Sequence, residues 1–235
     1  MTDEELRELI TNYQPNPDVL ASMADIKILA VVGPTASGKT TLMEALAKSN
    51  PSYKIVLDET SRRPRTGEKH GVDFLFRTRE EIVDDAQKGN LVQIALGPNN
   101  DLYCTSPQNY PHNGTSLIAL VPAAVLEFRE LPIKSFKAAF IVPGSYEQWQ
   151  QWLAKQSRDS QWSDEQLSKR LAEAKENFEF ALSDKDMNFV LNNETQSAVD
   201  RLLNLANGEL LVDEPLAKQT AEGNYHRLLK ELGIR

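Results

Sequence analysis

Cysteine is almost absent from this chain of 235 residues, since Cys104 is the only one. A single cysteine excludes an intrachain disulfide framework and favours a reducing compartment. No apolar run is long enough to span a bilayer, and the acidic start MTDEELRELI lacks the basic and apolar regions of a secretory signal. We therefore expect a soluble cytoplasmic protein with no membrane partner.

Positive charge is also in short supply. The chain has 26 lysines and arginines against 34 acidic residues, which gives a net charge of −8. Nucleic acids and membrane surfaces both require a broad basic face, so neither is predicted as a partner. A small anionic ligand remains open because it needs only a local basic pocket. Hydrophobic residues make up 40% of the chain, enough for the core of one medium α/β domain with small inserts.

Strand-like and helix-like segments alternate along the chain. An unbroken apolar run at 25–33 ends in glycine, which is typical of a buried parallel strand. Further strands are predicted at 53–57, 116–121, 136–142 and 187–193. Helices are predicted at 39–48, 122–130, after residue 145, around 167–182 and at 195–206. The alternation predicts an α/β fold with a mostly parallel sheet, helices on both faces and ligands at the carboxyl ends of the strands.

Some segments fall outside this alternation. Residues 71–105 have the pattern of an insert, with a strand, a helix and two further strands joined by a Gly-Pro-Asn-Asn turn at 97–100. The polar stretch 155–164 is predicted to be a mobile loop. A helix is expected at 2–12, and the tail 209–235 is expected to be partly helical.

A glycine-rich motif follows the first strand. The stretch GPTASGKTT at 33–41 satisfies G-x-x-x-x-G-K-[ST], between an apolar strand and a helix as this motif requires. Its glycines let successive N–H groups point inward, and the helix start adds a positive dipole end. The predicted nucleotide-binding residues of this loop are Gly33, Ala36, Ser37, Gly38, Lys39, Thr40 and Thr41.

The motif assigns chemistry to two side chains. Lys39 is expected to reach the β- and γ-phosphates of a nucleoside triphosphate, and the Thr40 hydroxyl to take one Mg²⁺ coordination site. The string GPTASGKT is also characteristic of tRNA dimethylallyltransferases. The rest of the chain lacks the other segments of that family, and an acidic surface suits tRNA poorly. A guanine signature of the GTPase type, Asn-Lys-x-Asp, is also absent.

A second motif, at 60–82, reads TSRRPRTGEKHGVDFLFRTREEI. It resembles the nucleotide-monophosphate-binding segment of guanylate kinases, T-T-R-x-x-R-x-G-E-x-x-G-x-D-Y-x-F-x-[ST]-x-x-E. The resemblance spans roughly 26–205. It implies a three-layer P-loop kinase fold with a small mixed β insert for the acceptor and a lid. The implied reaction moves the γ-phosphoryl group of ATP, with Mg²⁺, onto the phosphate of a nucleoside monophosphate.

The resemblance implies roles for residues of the acceptor insert. Arg62 and Arg65 would clamp the acceptor phosphate, because their planar forks match its oxygens. Tyr103 stands where the family has a tyrosine that donates to that phosphate, and Phe74 replaces a second such tyrosine. The acceptor residues implied in this way are Asp58, Arg62, Arg65, Glu68, Phe74, Gln93, Tyr103 and Thr105.

The later half of the resemblance implies a lid and an adenine-side contact. The lid is expected at about 155–170, where Arg158 and Arg170 would cover the ATP phosphates and act in catalysis together with Lys39 and the insert arginines. Asn192 would lie on the adenine side. The implied layout is an N-terminal helical extension at 1–25, a kinase core at 26–57 and 107–208, an acceptor insert at 58–106 and a tail at 209–235.

The base-reading positions depart from the family. Where guanylate kinases have a serine, a glutamate and an aspartate, this chain has Asp58, Gln93 and Val121. A glutamate accepts both N–H groups of guanine's edge, whereas a glutamine offers one acceptor and one donor. Losing a polar partner in a closed pocket weakens discrimination strongly.

Three hypotheses follow. The first is phosphoryl transfer to GMP or dGMP. The second is a kinase of the same fold whose acceptor is another nucleotide or a ribose phosphate. The third is a non-catalytic guanylate-kinase-like binding module, which retention of Gly38, Lys39 and Thr40 disfavours. The oligomeric state stays open.

Overall fold

The computed structural model describes residues 2–65, 67–97 and 100–234. Two residues of the turn predicted at 97–100 lie outside this range. The strands are β1 Lys27–Val32, β2 Tyr53–Ile55, β3 Glu59–Thr60, β4 Leu75–Phe76, β5 Gln93–Leu96, β6 Leu102–Thr105, β7 Thr115–Ala119, β8 Ser135–Pro143 and β9 Asn188–Asn192. The α-helices are α1 Asp3–Thr11, α2 Pro17–Met23, α3 Lys39–Ser49, α4 Arg79–Gln87, α5 Pro122–Glu130, α6 Tyr146–Asp159, α7 Asp164–Ser183, α8 Thr195–Ala206 and α9 Glu214–Glu231. A short 3-10 helix spans Pro107–Asn109.

The larger sheet has five strands in the order β2-β7-β1-β8-β9. Strands β8 and β9 run parallel, with Val142 opposite Leu191 and Pro143 opposite Asn192. Neighbours that do not follow one another in the chain require crossover connections, and helices supply them. The prediction of an α/β fold with a mostly parallel sheet and helices on both faces is confirmed.

The smaller sheet is mixed, as predicted, with the order β4-β3-β6-β5. Strand β3 is parallel to β4 and antiparallel to β6, which is antiparallel to β5. The first strand predicted in the insert at 71–105 contracts to β4, because residues 71–73 form a turn. The two-residue strand β3 was not predicted, since so short a segment carries no alternation to detect.

The chain divides into two compact units. The first, called here the acceptor unit, comprises Met1–Lys27, Lys54–Ser116 and Glu127–Ser135, and the second, the loop unit, comprises Ile28–Tyr53, Leu117–Leu126 and Phe136–Arg235. Each unit buries its own set of apolar side chains.

In the acceptor unit, one face of the small sheet is the apolar core. Ile94, Leu102 and Cys104 pack there with Ile82 of α4 and Leu6 of α1. Their alternation in β5 and β6 leaves the polar residues of those strands on the opposite face. The N-terminal helix predicted at 2–12 is thus α1, and its apolar stripe packs on the insert.

The segment after α1 adds polar contacts to the same unit. The Tyr13 hydroxyl donates to the Leu91 carbonyl and accepts from the Leu91 N–H, at 2.5 and 2.8 Å. The Asn16 N–H donates to the Gly89 carbonyl at 2.9 Å. These bonds fix the N-terminal segment to the turn that follows α4.

In the loop unit, aromatic rings form the centre of the core. Phe140, Trp149 and Phe178 are fully buried, and Phe178 meets the other two rings edge to face at 5.3 and 5.7 Å. The tail predicted to be partly helical forms the long helix α9, whose Asn224 side chain donates to the Pro143 carbonyl at 2.9 Å. Helix α9 is therefore part of this unit's packing.

The prediction of a loop at 155–164 was wrong over its first half. Helix α6 continues through Asp159, supported by a Lys155–Asp159 pair at 3.2 Å that polar composition alone does not reveal. Ser163 then caps α7 in a reciprocal capping box with Gln166. Only a tight connection remains between the helices, with Gln161 in a left-handed conformation at φ 53°.

Within the described ranges, none of the helices has the length and apolar content needed to cross a membrane.

Candidate functional site

The glycine-rich motif forms a tight loop between β1 and α3 of the loop unit. Its backbone enters the left-handed region at Ala36 and Gly38, with φ 63° and 92°. Gly38 is the N-cap of α3 and makes no side-chain cap hydrogen bond. The first N–H groups of α3 are therefore left to bind a ligand, which is the arrangement that binds phosphate at helix starts.

Close packing explains why glycine stands at two of these positions. A Cβ on Gly38 would lie 2.5 Å from the Asn192 side-chain nitrogen, and one on Gly33 would lie 2.9 Å from the Ile141 carbonyl oxygen. Neither position has room for a side chain. The loop is thus pressed against β8 and β9 of its own unit.

Two side chains of the loop unit hold the loop in shape. The Asn192 amide donates to the Ser37 carbonyl, and the Trp149 indole N–H donates to the Thr35 carbonyl, both at 2.8 Å. Asn192, predicted on the adenine side, therefore has its amide on the loop backbone. Trp149 was not predicted at the site, because its helical spacing indicates only core packing. The buried Ser37 hydroxyl has no hydrogen-bond partner in the described part of the chain.

Lys39 lies folded over its own loop. Its amino group donates to the Gly33 and Pro34 carbonyls at 2.6 and 2.9 Å. Burial, and then the positive charge of Arg170, lower the pKa of Lys39 to about 8, while Glu173 opposes them. With this pKa the amine is mostly protonated at pH 7.

The two predicted lid arginines differ in their surroundings. Arg170 pairs with Glu173 at 2.8 Å, lies 5.8 Å from the centre of the Trp162 ring and acts on the pKa of Lys39. Arg158 is in the last turn of α6, and its charge is not among the causes that shift that pKa. Of the two, Arg170 is the one whose charge lowers the pKa of Lys39.

In the acceptor unit, Arg62 is the centre of a compact cluster. Its guanidinium donates to both carboxylate oxygens of Glu68, at 2.7 and 2.9 Å, and lies 4.9 Å from the centre of the Phe74 ring. Its Nε is buried and has no partner among the residues described. A guanidinium held by a carboxylate and a ring, with its Nε–H unused, is a favourable binding group for an anion.

Glu68 also organises the neighbouring turn. One of its oxygens accepts the Arg65 backbone N–H at 2.7 Å, while the Arg65 side chain is exposed. Hydrogen bonding to Arg62 holds the pKa of Glu68 below its usual range. Glu68 therefore positions Arg62 through the Arg62 side chain and Arg65 through the Arg65 backbone N–H.

Two rings border this cluster. Phe74 and Tyr103 meet edge to face with centroids 6.3 Å apart. Hydrogen bonding to Glu68 and, to a smaller extent, the neighbouring Tyr103 side chain raise the pKa of Arg62. The structure brings together Arg62, Glu68, Phe74 and Tyr103, four of the residues predicted for the acceptor.

Two of the three residues at the base-reading positions, Asp58 and Gln93, belong to the acceptor unit. Gln93 is opposite Thr105 in the pairing of β5 with β6, and the Thr105 hydroxyl is 2.8 Å from the Tyr110 hydroxyl. Asp58 is half-buried, and burial followed by the charge of Glu59 raises its pKa to about 7. Tyr110 was not predicted, since no motif marks it. Val121, in the loop unit, is exposed.

An ion-paired network around Glu59, which lies opposite Cys104 in the small sheet, was also not predicted from the sequence. Arg77 pairs with the buried Glu59 at 2.6 Å and with Asp85 at 2.7 Å. Arg77 thus links Glu59 of β3 to Asp85 of α4, so the network supports the sheet.

The side chains suit a metal carried by a nucleotide. Among the described residues, no three His, Cys, Asp or Glu side chains come together in a way that could hold an ion. Thr40 is exposed in the first turn of α3, where its hydroxyl is free to act as one oxygen ligand. Mg²⁺ is commonly held by few protein oxygens together with substrate phosphates, which this arrangement fits.

Comparison with known proteins gives one consistent result. The family model described as guanylate kinase matches residues 25–204. A guanylate kinase of Oceanobacillus iheyensis is 28% identical over 205 residues, covering 85% of this chain and 93% of its own. A guanylate kinase of Desulfitobacterium hafniense is 30% identical over 181 residues, covering 74% of this chain and 86% of its own.

A solved structure shares the fold. The crystal structure of guanylate kinase from Anaplasma phagocytophilum matches with a TM-score of 0.53 at 17% identity. The match covers 82% of this chain and 90% of the other.

Proposed function

The chain belongs to the guanylate kinase family, and from this we propose that it transfers the γ-phosphoryl group of ATP to the phosphate of a nucleoside monophosphate, with GMP or dGMP as its best acceptor. Membership makes it a nucleotide-binding transferase of the nucleoside monophosphate kinase type. The observation that carries the proposal is Lys39, a protonated amine held on the carbonyls of a loop whose helix start is open to phosphate.

The donor side is supported by the loop's backbone. Transfer of a phosphoryl group requires polyanions to be held in line and their charge neutralised, with little covalent help from the protein. The N–H groups from Gly38 onward would hold ATP phosphates, and Lys39 would follow the transferring group. Bound Mg²⁺ would neutralise charge on the phosphates, with Thr40 as its ligand from the protein.

The acceptor side is supported by the cluster around Arg62. This guanidinium already binds a carboxylate through two hydrogen bonds, and its Nε donor is buried without a partner among the described residues. The acceptor phosphate would bind Arg62 and the Tyr103 hydroxyl, with Arg65 swinging in from solvent. Phe74 supplies a ring face but no hydroxyl, so this seat has one donor fewer than the family's pattern.

The layout follows from the same membership. We place the acceptor insert at 58–106, the kinase core at 26–57 and 107–208, and the lid at about 155–170. Within the lid, Arg170 is the better candidate for an arginine that covers the donor phosphates, since its charge already acts on Lys39.

A second candidate is a kinase of this fold with a different phosphorylated acceptor. The observation that favours it is the base side of the insert, where Asp58 and Gln93 replace the family's serine and glutamate. The phosphate side is unchanged by that replacement, so an acceptor with another base or a bare ribose phosphate would still find Arg62.

A coupled ATP-consumption assay across GMP, dGMP, AMP, UMP, CMP and ribose phosphates tests the proposal. We expect turnover with GMP and dGMP well above the others. Turnover confined to another acceptor would establish the second candidate, and ATP binding with no turnover would indicate a binding module.

A matched pair of lysine variants controls this assay. Lys39→Ala should lower kcat by about a thousandfold or more, because the developing charge loses its cation. Lys48→Ala removes an exposed lysine from the same helix and should leave turnover unchanged. Retention of activity by Lys39→Ala would show that the triphosphate site is elsewhere.

A further inference from the structure

Helix α9 lies against β9, the strand that carries Asn192. The helix follows residue 204, where the match to the guanylate kinase model ends. In its first turn, the Glu214 carboxylate accepts the Phe189 N–H of β9 at 3.0 Å, and the Lys218 ammonium lies 5.7 Å from the centre of the Phe189 ring. Because β9 is at the edge of the five-stranded sheet, these contacts hold its outer side.

The middle of α9 holds the end of the neighbouring strand, β8. Asn224 is 3% exposed, and its amide donates to the Pro143 carbonyl at 2.9 Å. Pro143 lies opposite Asn192 in the pairing of β8 with β9, and the N–H of the next residue, Gly144, donates to the Asn192 carbonyl at 3.2 Å. Asn224 therefore fixes the end of β8 at the point where the chain is hydrogen-bonded to Asn192.

The Asn192 side chain carries this connection to the phosphate loop. Asn192 is buried, and its amide donates to the Ser37 carbonyl at 2.8 Å. A Cβ on Gly38 would collide with that amide, so the loop and the Asn192 side chain are in direct contact. Three hydrogen bonds thus link α9 to the loop: Asn224 to Pro143, Gly144 to Asn192, and Asn192 to Ser37.

A second route from α9 reaches the loop through Trp149. The Tyr146 hydroxyl of α6 donates to the Glu231 carboxylate of α9, and the Tyr146 ring meets the Trp149 ring edge to face with centroids 5.6 Å apart. The Trp149 indole N–H in turn donates to the Thr35 carbonyl. Both side chains that hold loop carbonyls, Asn192 and Trp149, are therefore supported by α9.

We propose that Asn224 is a positioning residue for ATP: by holding the end of β8 beside Asn192, it keeps the phosphate loop in the shape that binds the triphosphate. The inference rests on the proposed function, which assigns ATP to this loop. Backbone N–H groups bind phosphate only where they point at the ligand, so a small displacement of the loop weakens binding. Loss of the Asn224 amide leaves the buried Pro143 carbonyl without this donor, which favours a shift of the strand ends on which the loop packs.

The test compares ATP binding, measured with Mg²⁺ by isothermal titration calorimetry, in the wild type and in Asn224→Leu. Leucine has the branched shape of asparagine but no amide donor. Because the Trp149 route stays intact, we expect the Kd for ATP to rise only about three- to tenfold, the range of one net hydrogen bond. In the coupled assay the KM for ATP should rise by a similar factor, whereas the KM for GMP should not change, since the Arg62 cluster belongs to the other unit. Asn224→Ala is the second variant if Asn224→Leu fails to fold by thermal melting.

Leu228→Ala is the matched control, because Leu228 is fully buried one turn further along α9 and its side chain has no hydrogen-bonding group. It should lower the melting temperature through lost burial and leave the Kd for ATP unchanged at a temperature where the variant is folded. Asn192→Ala completes a double-variant cycle. If Asn224 acts through Asn192, adding Asn224→Leu to Asn192→Ala should raise the Kd for ATP by less than about twofold.

An unchanged Kd for ATP in a folded Asn224 variant would overturn the inference and leave the kinase standing. An equal rise in Leu228→Ala would do the same, as would a rise on the Asn192→Ala background as large as the one in the wild type. Absence of ATP binding by the wild type would instead overturn the proposed function.

Discussion

The phosphate loop and the Arg62 cluster are both candidate phosphate-binding sites, but the first is formed mainly by backbone groups and the second by side chains. In the loop unit, the seat is backbone: glycines at positions without room for a side chain, a helix start with free N–H groups, and Asn192 and Trp149 bonded to loop carbonyls. In the acceptor unit, the seat is made of side chains that satisfy one another, with Glu68 standing on Arg62 where an anion would bind.

This difference predicts how the loop and the Arg62 cluster each respond to substitution. A backbone seat tolerates almost no substitution at its glycines, because its shape is the binding surface. A seat of side chains can lose or gain single donors while its frame remains intact. The acceptor seat is accordingly the one where this chain departs from its family, at Phe74, Asp58 and Gln93.

The largest expected effect comes from adding one methyl group to the loop. Gly38→Ala should lower the free energy of unfolding by about 3 kcal/mol, since it adds left-handed strain and forces Asn192 off the Ser37 carbonyl. Gly67→Ala in the acceptor unit has the same φ of 92° but no atom within 4 Å of the added carbon. It should cost only the strain, about 1 kcal/mol. Equal losses of unfolding free energy for the two variants, measured by urea titration, would mean that contact with Asn192 does not restrict position 38.

A smaller effect should follow from replacing the fork of Arg62. Arg62→Lys keeps the charge but loses two-point binding and the flat contact with Phe74, so kcat/KM for the acceptor should fall by about 10- to 100-fold. The KM for ATP should not change. Arg63→Lys makes the same exchange at an exposed neighbour and should be neutral. An increase in the KM for ATP as large as that for GMP would contradict the assignment of this cluster to the acceptor.

The smallest expected effect comes from adding the hydroxyl donor that Phe74 lacks. Phe74→Tyr adds a hydroxyl at the edge of the Arg62 cluster, and its net hydrogen bond should lower the KM for GMP by about two- to fivefold. Because Phe74 is half-buried, the ring has room to carry the hydroxyl toward solvent. A higher KM would show that the ring face, and not a donor, is what this position supplies.

The loop was predictable from sequence because its backbone conformation requires particular residue types at fixed spacing. Gly33, Gly38 and Lys39 have fixed spacing, and the apolar strand before them confirms the context. The residues that hold the loop, Trp149 and Asn192, follow it by more than a hundred positions. No local pattern links such distant partners, so only the fold reveals them.

The Arg62 cluster could be predicted from sequence in its members but not in how they pair. The motif at 60–82 identifies Arg62, Arg65 and Glu68, yet spacing does not say that Glu68 occupies the guanidinium of one and the backbone of the other. The raised pKa of Asp58 depends on burial and on Glu59. Burial of a polar residue in a short strand segment leaves no periodicity from which to predict it.

Helix α1 carries a consequence for how the chain is assembled during synthesis. Helix α1 precedes β5 and β6 in the chain, so Leu6 meets these partners only after the strands containing Ile94 and Cys104 have been made. An isolated helix of nine residues is marginal in water, and Thr2 with Glu5 supplies only a local capping box. Helix α1 therefore stays unpacked until those strands are made, and the core of the acceptor unit forms late.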